Sequence, residues 1–234
     1  MDAFDELLEL QSADTEIAQL EHRATNLPEG AALAGARQQL ARVEAEIVHL
    51  RTESQSCSAT IEANEVAVGE LRHQLGRLTA QLKTVIAPRE AEALQHEMAV
   101  IEAKISSIED ESLVALERSE ELDTAVTRLE AEAATARANV DEADDAHATA
   151  LETVRIALAA VRDRRAQAAT RLDPDWVARY ERRRADHAGV AVARLVRATC
   201  GGCHIDLSTS EVEAVRRMEP TQRECPNCAR WLVV

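Results

Sequence analysis

The sequence predicts a mainly α protein: a long antiparallel coiled-coil helical hairpin, followed by a small, β-rich C-terminal ribbon with one short helix. Three observations carry this. Apolar residues recur at alternating three- and four-residue steps from Leu33 to Ala143, the signature of a coiled-coil seam. Prolines stand where that pattern starts or reverses, at Pro28 and Pro88. Four of the five cysteines fall in two C-x-x-C pairs between residues 200 and 228. Composition agrees, because the four aromatic residues (Phe4, Trp176, Tyr180, Trp231) leave positions 5–175 without any. Packed globular cores normally lean on aromatic side chains, whereas Ala, Leu, Glu and Arg dominate long helices.

The first arm steps from Leu33 to Val85 through sixteen positions, fourteen of them apolar if Cys57 is included; Ser54 and Asn64 interrupt it. The second runs from Ala91 to Ala143, interrupted by Ser112 and Ser119, and continues more weakly through Val154 and Val161. Between them lies "VIAPRE", and proline suits only the first turn of a new helix. The turn is therefore placed near 86–89. A parallel dimer of continuous helices is the competing arrangement, and Pro28 and Pro88 argue against it. Pairing across the turn sets Asn64 opposite Ser112 and Cys57 opposite Ser119, while Ser54 misfits against Leu122. "NLPEG" (26–30) then falls opposite His147, where a kink is expected, and residues 3–25 form a further helix packed against about 150–170. The domains read as 1–172, hairpin, and 173–234, linker helix plus ribbon.

The formal charge of −15 is uneven. Residues 174–234 carry ten Arg against eight Asp or Glu, a net +2, leaving −17 on the rest. The hairpin should therefore repel nucleic acid. His22, His49, His73, His96 and His147 follow no ligand spacing, and no carboxylate pair looks catalytic, so no enzyme is expected. No apolar run approaches the roughly 20 residues of a membrane span, and the acidic start "MDAFDELLEL" is no secretory signal; a cytoplasmic protein is expected.

Cys200, Cys203, Cys225 and Cys228 give C-x2-C-x21-C-x2-C. Two such knuckles complete a tetrahedron around one Zn²⁺. Four thiolates leave no position for water or substrate, so the ion is structural. A tetrathiolate iron site uses similar spacing and stays open at this stage, and His204 is a lesser ligand candidate. A thiol redox protein is the least favoured alternative. Gly201 and Gly202 allow the first knuckle and Pro226 and Asn227 turn the second. "GVAVARLV" and "RWLVV" read as strands, and Ser208 with Glu211 as a capping box opening a short helix. Asp173 before Pro174 starts the linker helix, whose Trp176 and Tyr180 clamp the ribbon to the helices. Arg179, Arg182, Arg183, Arg184, Arg194, Arg197, Arg216, Arg217, Arg223, Arg230 and Trp231 are the candidate nucleic-acid contacts; pairing with the acidic helices is the competing role for the arginines. Cys57 reads as a small core residue.

The combination "YERRR…GVAVARL…CGGCHIDLS…ECPNCARWL", with "EAEALQHEMAVIEAKISSIEDESLVALE" (90–117), resembles a bacterial family of C4-type zinc-ribbon proteins with an N-terminal coiled-coil hairpin. The resemblance implies the same four cysteines as zinc ligands. It implies nucleic-acid binding, and for some members a chaperone-like role in flagellar or type III secretion, with a sigma factor, secretion components or a messenger RNA as partner. Where that family has glycine after the last cysteine, this chain has Ala229. The expected function is a non-enzymatic adaptor that holds protein partners on the hairpin, with DNA or RNA binding at the ribbon end as the alternative.

Overall fold

The structure, a computed structural model, describes residues 3–234. Helices α1 (Ala3–Thr25), α2 (Pro28–Leu82), α3 (Pro88–Thr170) and α4 (Pro174–Asp186) precede the ribbon. The ribbon holds β1 (Val192–Val196), β2 (Thr199–Cys200), α5 (Thr209–Arg217), a 3-10 turn at Pro220–Gln222 and β3 (Trp231–Val233). Proline opens α2, α3, α4 and the 3-10 turn, positions where its missing N–H costs nothing. Asp173 caps α4 by accepting from Asp175 N, and Ser208 with Glu211 forms the expected capping box of α5. The break near 26–30 lies in the first arm alone, because α3 continues past His147 without interruption. An added Cβ at Gly30 would stand 3.4 Å from the His147 ring.

The chain divides into two compact units: residues 32–143, and residues 1–31 together with 144–234. In the first, α2 and α3 pair along the seam read from sequence. Val43, Ile47, Val126 and Ala133 form one cluster, and Val68, Leu78, Ile101 and Ile105 another. Arg72–Glu109 (2.6 Å), Arg118–Glu53 (2.8 Å), Arg137–Glu44 (2.7 Å) and Arg51–Glu130 cross between the helices. They are exposed, so each contributes about 0–1 kcal/mol and serves register more than stability. One seam expectation is corrected. Ser54 fits, because its hydroxyl donates to Asp123 (3.0 Å) and lies 3.3 Å from Ser119. Asn64 and Ser112 line one groove, while Ser112 donates to Ile108 O and Asn64 Nδ2 is buried without a partner.

In the second unit α1, the end of α3, α4 and the ribbon share a core, so covalent order does not set the boundary. Phe4, Leu7 and Leu10 of α1 pack with Leu172, Tyr180, Val192 and Trp231. All four aromatic residues of the chain meet in or against this cluster. Phe4, Trp176 and Trp231 contact edge to face at 5.5–6.0 Å between centroids, a preferred geometry for aromatic pairs. A three-stranded sheet of order β2-β1-β3 follows, with β1 antiparallel to β2 and parallel to β3. Its inner face joins Leu195 and Leu232 to Leu207, Val212 and Val215, beneath Cys200 and Cys225.

Candidate metal centre and its docking

The two knuckles are built alike. His204 N donates to Cys200 O and Ala229 N to Cys225 O, each at 2.8 Å. The closing residues His204 and Ala229 take φ 59° and 56°, left-handed backbone that favours glycine. Gly202 N donates to Cys200 Sγ at 3.4 Å. A Cβ on Gly201 would stand 2.9 Å from Arg194 O, so this turn requires glycine. The four Sγ atoms lie within 4.8 Å of one another, with Cys200–Cys228 and Cys203–Cys225 at 3.9 Å. Metal–sulfur bonds of about 2.3 Å give a tetrahedron with edges near about 3.8 Å. The cluster therefore fits a four-thiolate ion. Cys200 and Cys225 are buried, and His204 is exposed and outside the cluster. Cys57 lies half-buried on the hairpin seam.

Thiol acidities are spread across the cluster. Burial pushes Cys203 up and Cys225 up to about 12. Burial also pushes on Cys228, but hydrogen bonds from the Arg230 backbone and side chain and from the neighbouring thiols outweigh it and bring Cys228 down to about 7.

Several of the arginines read as candidate nucleic-acid contacts bond to groups within the protein. Arg183 donates to Ala229 O (2.6 Å), pairs with Glu224 and lies 4.4 Å over the Trp231 ring. Arg230 donates to His187 O and Val190 O, both at 2.9 Å. Arg184 faces Asp14 and Glu181 and Arg223 donates to Met218 O, whereas Arg217 is exposed and pairs with Glu213 one turn back in its own helix. Trp231 is 2% exposed, so its place among the candidate nucleic-acid contacts is corrected: its ring belongs to the core. Arg179 lies over Trp176 at 4.6 Å with its own side chain outward. Arg182, Arg194, Arg197 and Arg216 are exposed.

Two polar residues of α1 complete the docking, and sequence reasoning missed both. Gln11 behaves as a strand edge: its Oε1 accepts from Ala191 N (2.7 Å) and its Nε2 donates to Gly189 O (2.9 Å). Asp14, with a side chain 3% exposed, accepts from Arg165 Nε (2.7 Å) and Tyr180 OH (2.8 Å). The same hydrogen bond from Arg165 to Asp14 raises the guanidinium pKa, while burial and the Asp14 acceptor raise that of Tyr180. A buried carboxylate survives only with such partners. Gln11 and Asp14 are three apart, on one helical face, which is the signal that was available.

The family model of the CT398-like coiled coil hairpin domain matches residues 10–188. The chain belongs to that family. The match stops short of the four cysteines, so the CT398-like assignment covers the hairpin and α4 and not the ribbon. Rv2229c of Mycobacterium tuberculosis is 28% identical over 97% of this chain and 93% of its own. A Mycobacterium smegmatis structure superposes with TM-score 0.85 at 24% identity, covering 99% of this chain and 97% of that one. CT398 of Chlamydia trachomatis gives 0.82 at 18% with the same coverage, and HP0958 of Helicobacter pylori 0.59 at 17%. These likenesses show the fold. No described helix is long and apolar enough to cross a membrane.

Proposed function

We propose that this CT398-like chain is a non-enzymatic adaptor that holds a protein partner on the hairpin of residues 32–143, while the four cysteines bind one structural Zn²⁺. The observation that carries it is the use of the ribbon's basic side chains. Arg183, Arg184, Arg223 and Arg230 are spent on protein carbonyls and carboxylates, and Trp231 is core. That leaves the exposed acidic hairpin as the large available surface. A closed tetrathiolate supports zinc as a fold-holding ion rather than a reaction centre, and free thiols suit a reducing compartment such as the cytoplasm.

A photoreactive residue placed at Val48, Val66, Val100 or Val114 of the full chain, in the cells that make it, tests this. Discrete protein adducts that survive nuclease are expected. Adducts at none of these positions would overturn it. The second reading, DNA or RNA binding, rests on the exposed Arg182, Arg194, Arg197 and Arg216. It requires RNA or DNA affinity that falls steeply with salt and is lost in Arg194→Ala/Arg197→Ala/Arg216→Ala.

A further inference from the structure

Between residues 61–72 of α2 and 109–117 of α3 the hairpin departs from its own pattern. The α3 seam positions here are small, Ser112 and Ala115, with Ser119 next, while Leu113 and Leu116 stand one step outward and are 58% and 46% exposed. They line an open groove with Ile61, Asn64 and Gly69. A Cβ on Gly69 would meet nothing within 4 Å, so the groove is open at this position. Asn64 Nδ2, at the groove, is buried without an acceptor. Single exposed leucines need no explanation; two leucines, a gap opposite them and an unpaired amide in one groove do.

The rim decides the occupant. Glu65 lines the groove, exposed Glu62 stands one turn before it, and exposed Asp110 and Glu117 stand one turn to either side of Leu113; the one arginine lining the groove, Arg72, is paired with Glu109. A second copy would bring the same acidic rim against itself, which a two-fold interface cannot avoid. From the adaptor reading, on which this inference rests, we infer that this groove takes a basic amphipathic helix of a partner protein. About three turns match the eleven-residue step from Ile61 to Arg72, about 17 Å at 1.5 Å per residue. The partner's apolar stripe lies on Leu113, Leu116 and Ile61, the Gly69 gap lets the helix axes approach closely, and its Lys or Arg face meets the rim.

The test uses the full, metal-loaded chain and an 18-residue helical peptide with Leu at i, i+3, i+4 and i+7 and Lys elsewhere, carrying a fluorophore and a photolabel. An acidic twin has Glu for Lys. Saturable binding of the basic peptide is expected, weakening with salt, with adducts mapping to 61–72 and 109–117; the twin should not bind. Gly69→Met and Leu113→Ser/Leu116→Ser should each weaken binding at least ten-fold. Gly69→Met fills the groove without harming the fold, since its Cβ is unopposed and Met favours helix, and unchanged helical melting checks that. Equal binding by the variants, with adducts elsewhere on the hairpin, overturns this surface and leaves the adaptor reading standing. No binding by the basic peptide overturns the proposal, as does self-association of the chain that Gly69→Met abolishes. The adaptor reading itself falls only if the hairpin positions named above capture no protein.

Discussion

Ala229 and His204 hold equivalent places, each closing a knuckle at φ near 57° through an N–H donated back to the first cysteine of its pair. A left-handed alanine costs roughly 1–2 kcal/mol, so Ala229→Gly should raise ribbon stability by about 0.5–1 kcal/mol after the greater freedom of an unfolded glycine is offset. Denaturation followed by thiolate-to-metal absorption of the Co²⁺-substituted protein measures it. Gly201→Ala should act in the opposite sense, because its Cβ would press on a backbone oxygen at 2.9 Å that has no room to give. The same titration would then show a clear loss of Co²⁺ affinity. Gln11 tests the docking instead. Gln11→Ala leaves the buried Ala191 N–H and the Gly189 carbonyl without their partner and should cost about 1–3 kcal/mol. Thermal melts read by tryptophan fluorescence should show it, and an unchanged melt would mean water replaces the side chain.

At the scale of elements, the hairpin was legible because its information is local and periodic. Every buried apolar residue of α2, and every one of α3 from Ile101 to Ala136, lies on the predicted seam. The prolines gave the helix starts, and Ser208 with Glu211 gave the cap. The four ligand candidates were legible for a similar reason, since the spacing within each knuckle states the geometry. The arginines were not. Whether Arg183 or Arg230 faces solvent or a carbonyl depends on β3 lying beside β1 and on α1 returning from the other end of the chain, contacts about 40 to 180 residues apart in sequence. Trp231 was misread on the same ground. Asn64 shows a finer limit: periodicity set it opposite Ser112, but could not show that its amide nitrogen is left without an acceptor. Asn64→Leu should therefore raise the hairpin's melting temperature, by relief of an unpaired buried donor worth about 1–3 kcal/mol. Helical ellipticity at increasing temperature would show it. Because a buried polar residue also fixes register, the variant's hairpin should tolerate slipped pairing that disulfide trapping across α2 and α3 can detect.

At the scale of the whole molecule, the two units should answer differently to loss of metal. The ribbon's own core is a few side chains wide, Leu195, Leu207, Val212, Val215 and Leu232 around two of the thiols, too little to hold so short a segment unaided. With Zn²⁺ proposed at the four cysteines, binding and ribbon folding are one equilibrium. The second knuckle also carries the docking contacts, since Ala229 O, the Arg230 guanidinium and Trp231 follow Cys228 directly. Chelation should thus unfold the ribbon and expose Trp231, shifting tryptophan emission to the red. Residues 32–143 hold neither metal ligand nor tryptophan, so helical ellipticity should fall little. The pH dependence has a definite sign. The ion binds thiolates, so bound cysteines have lower pKa values than free ones, and the stability the ion contributes is present at high pH and lost as pH falls. Cys228, at about 7, stays a thiolate to lower pH than Cys203 or Cys225, and Cys225, pushed up to about 12, must give up a proton to bind. Once the chelator's own protonation is corrected for, the concentration that half-releases the metal should therefore fall from pH 8 to pH 6. Equal tryptophan emission with and without metal across that range would show that the ribbon holds its fold by packing alone.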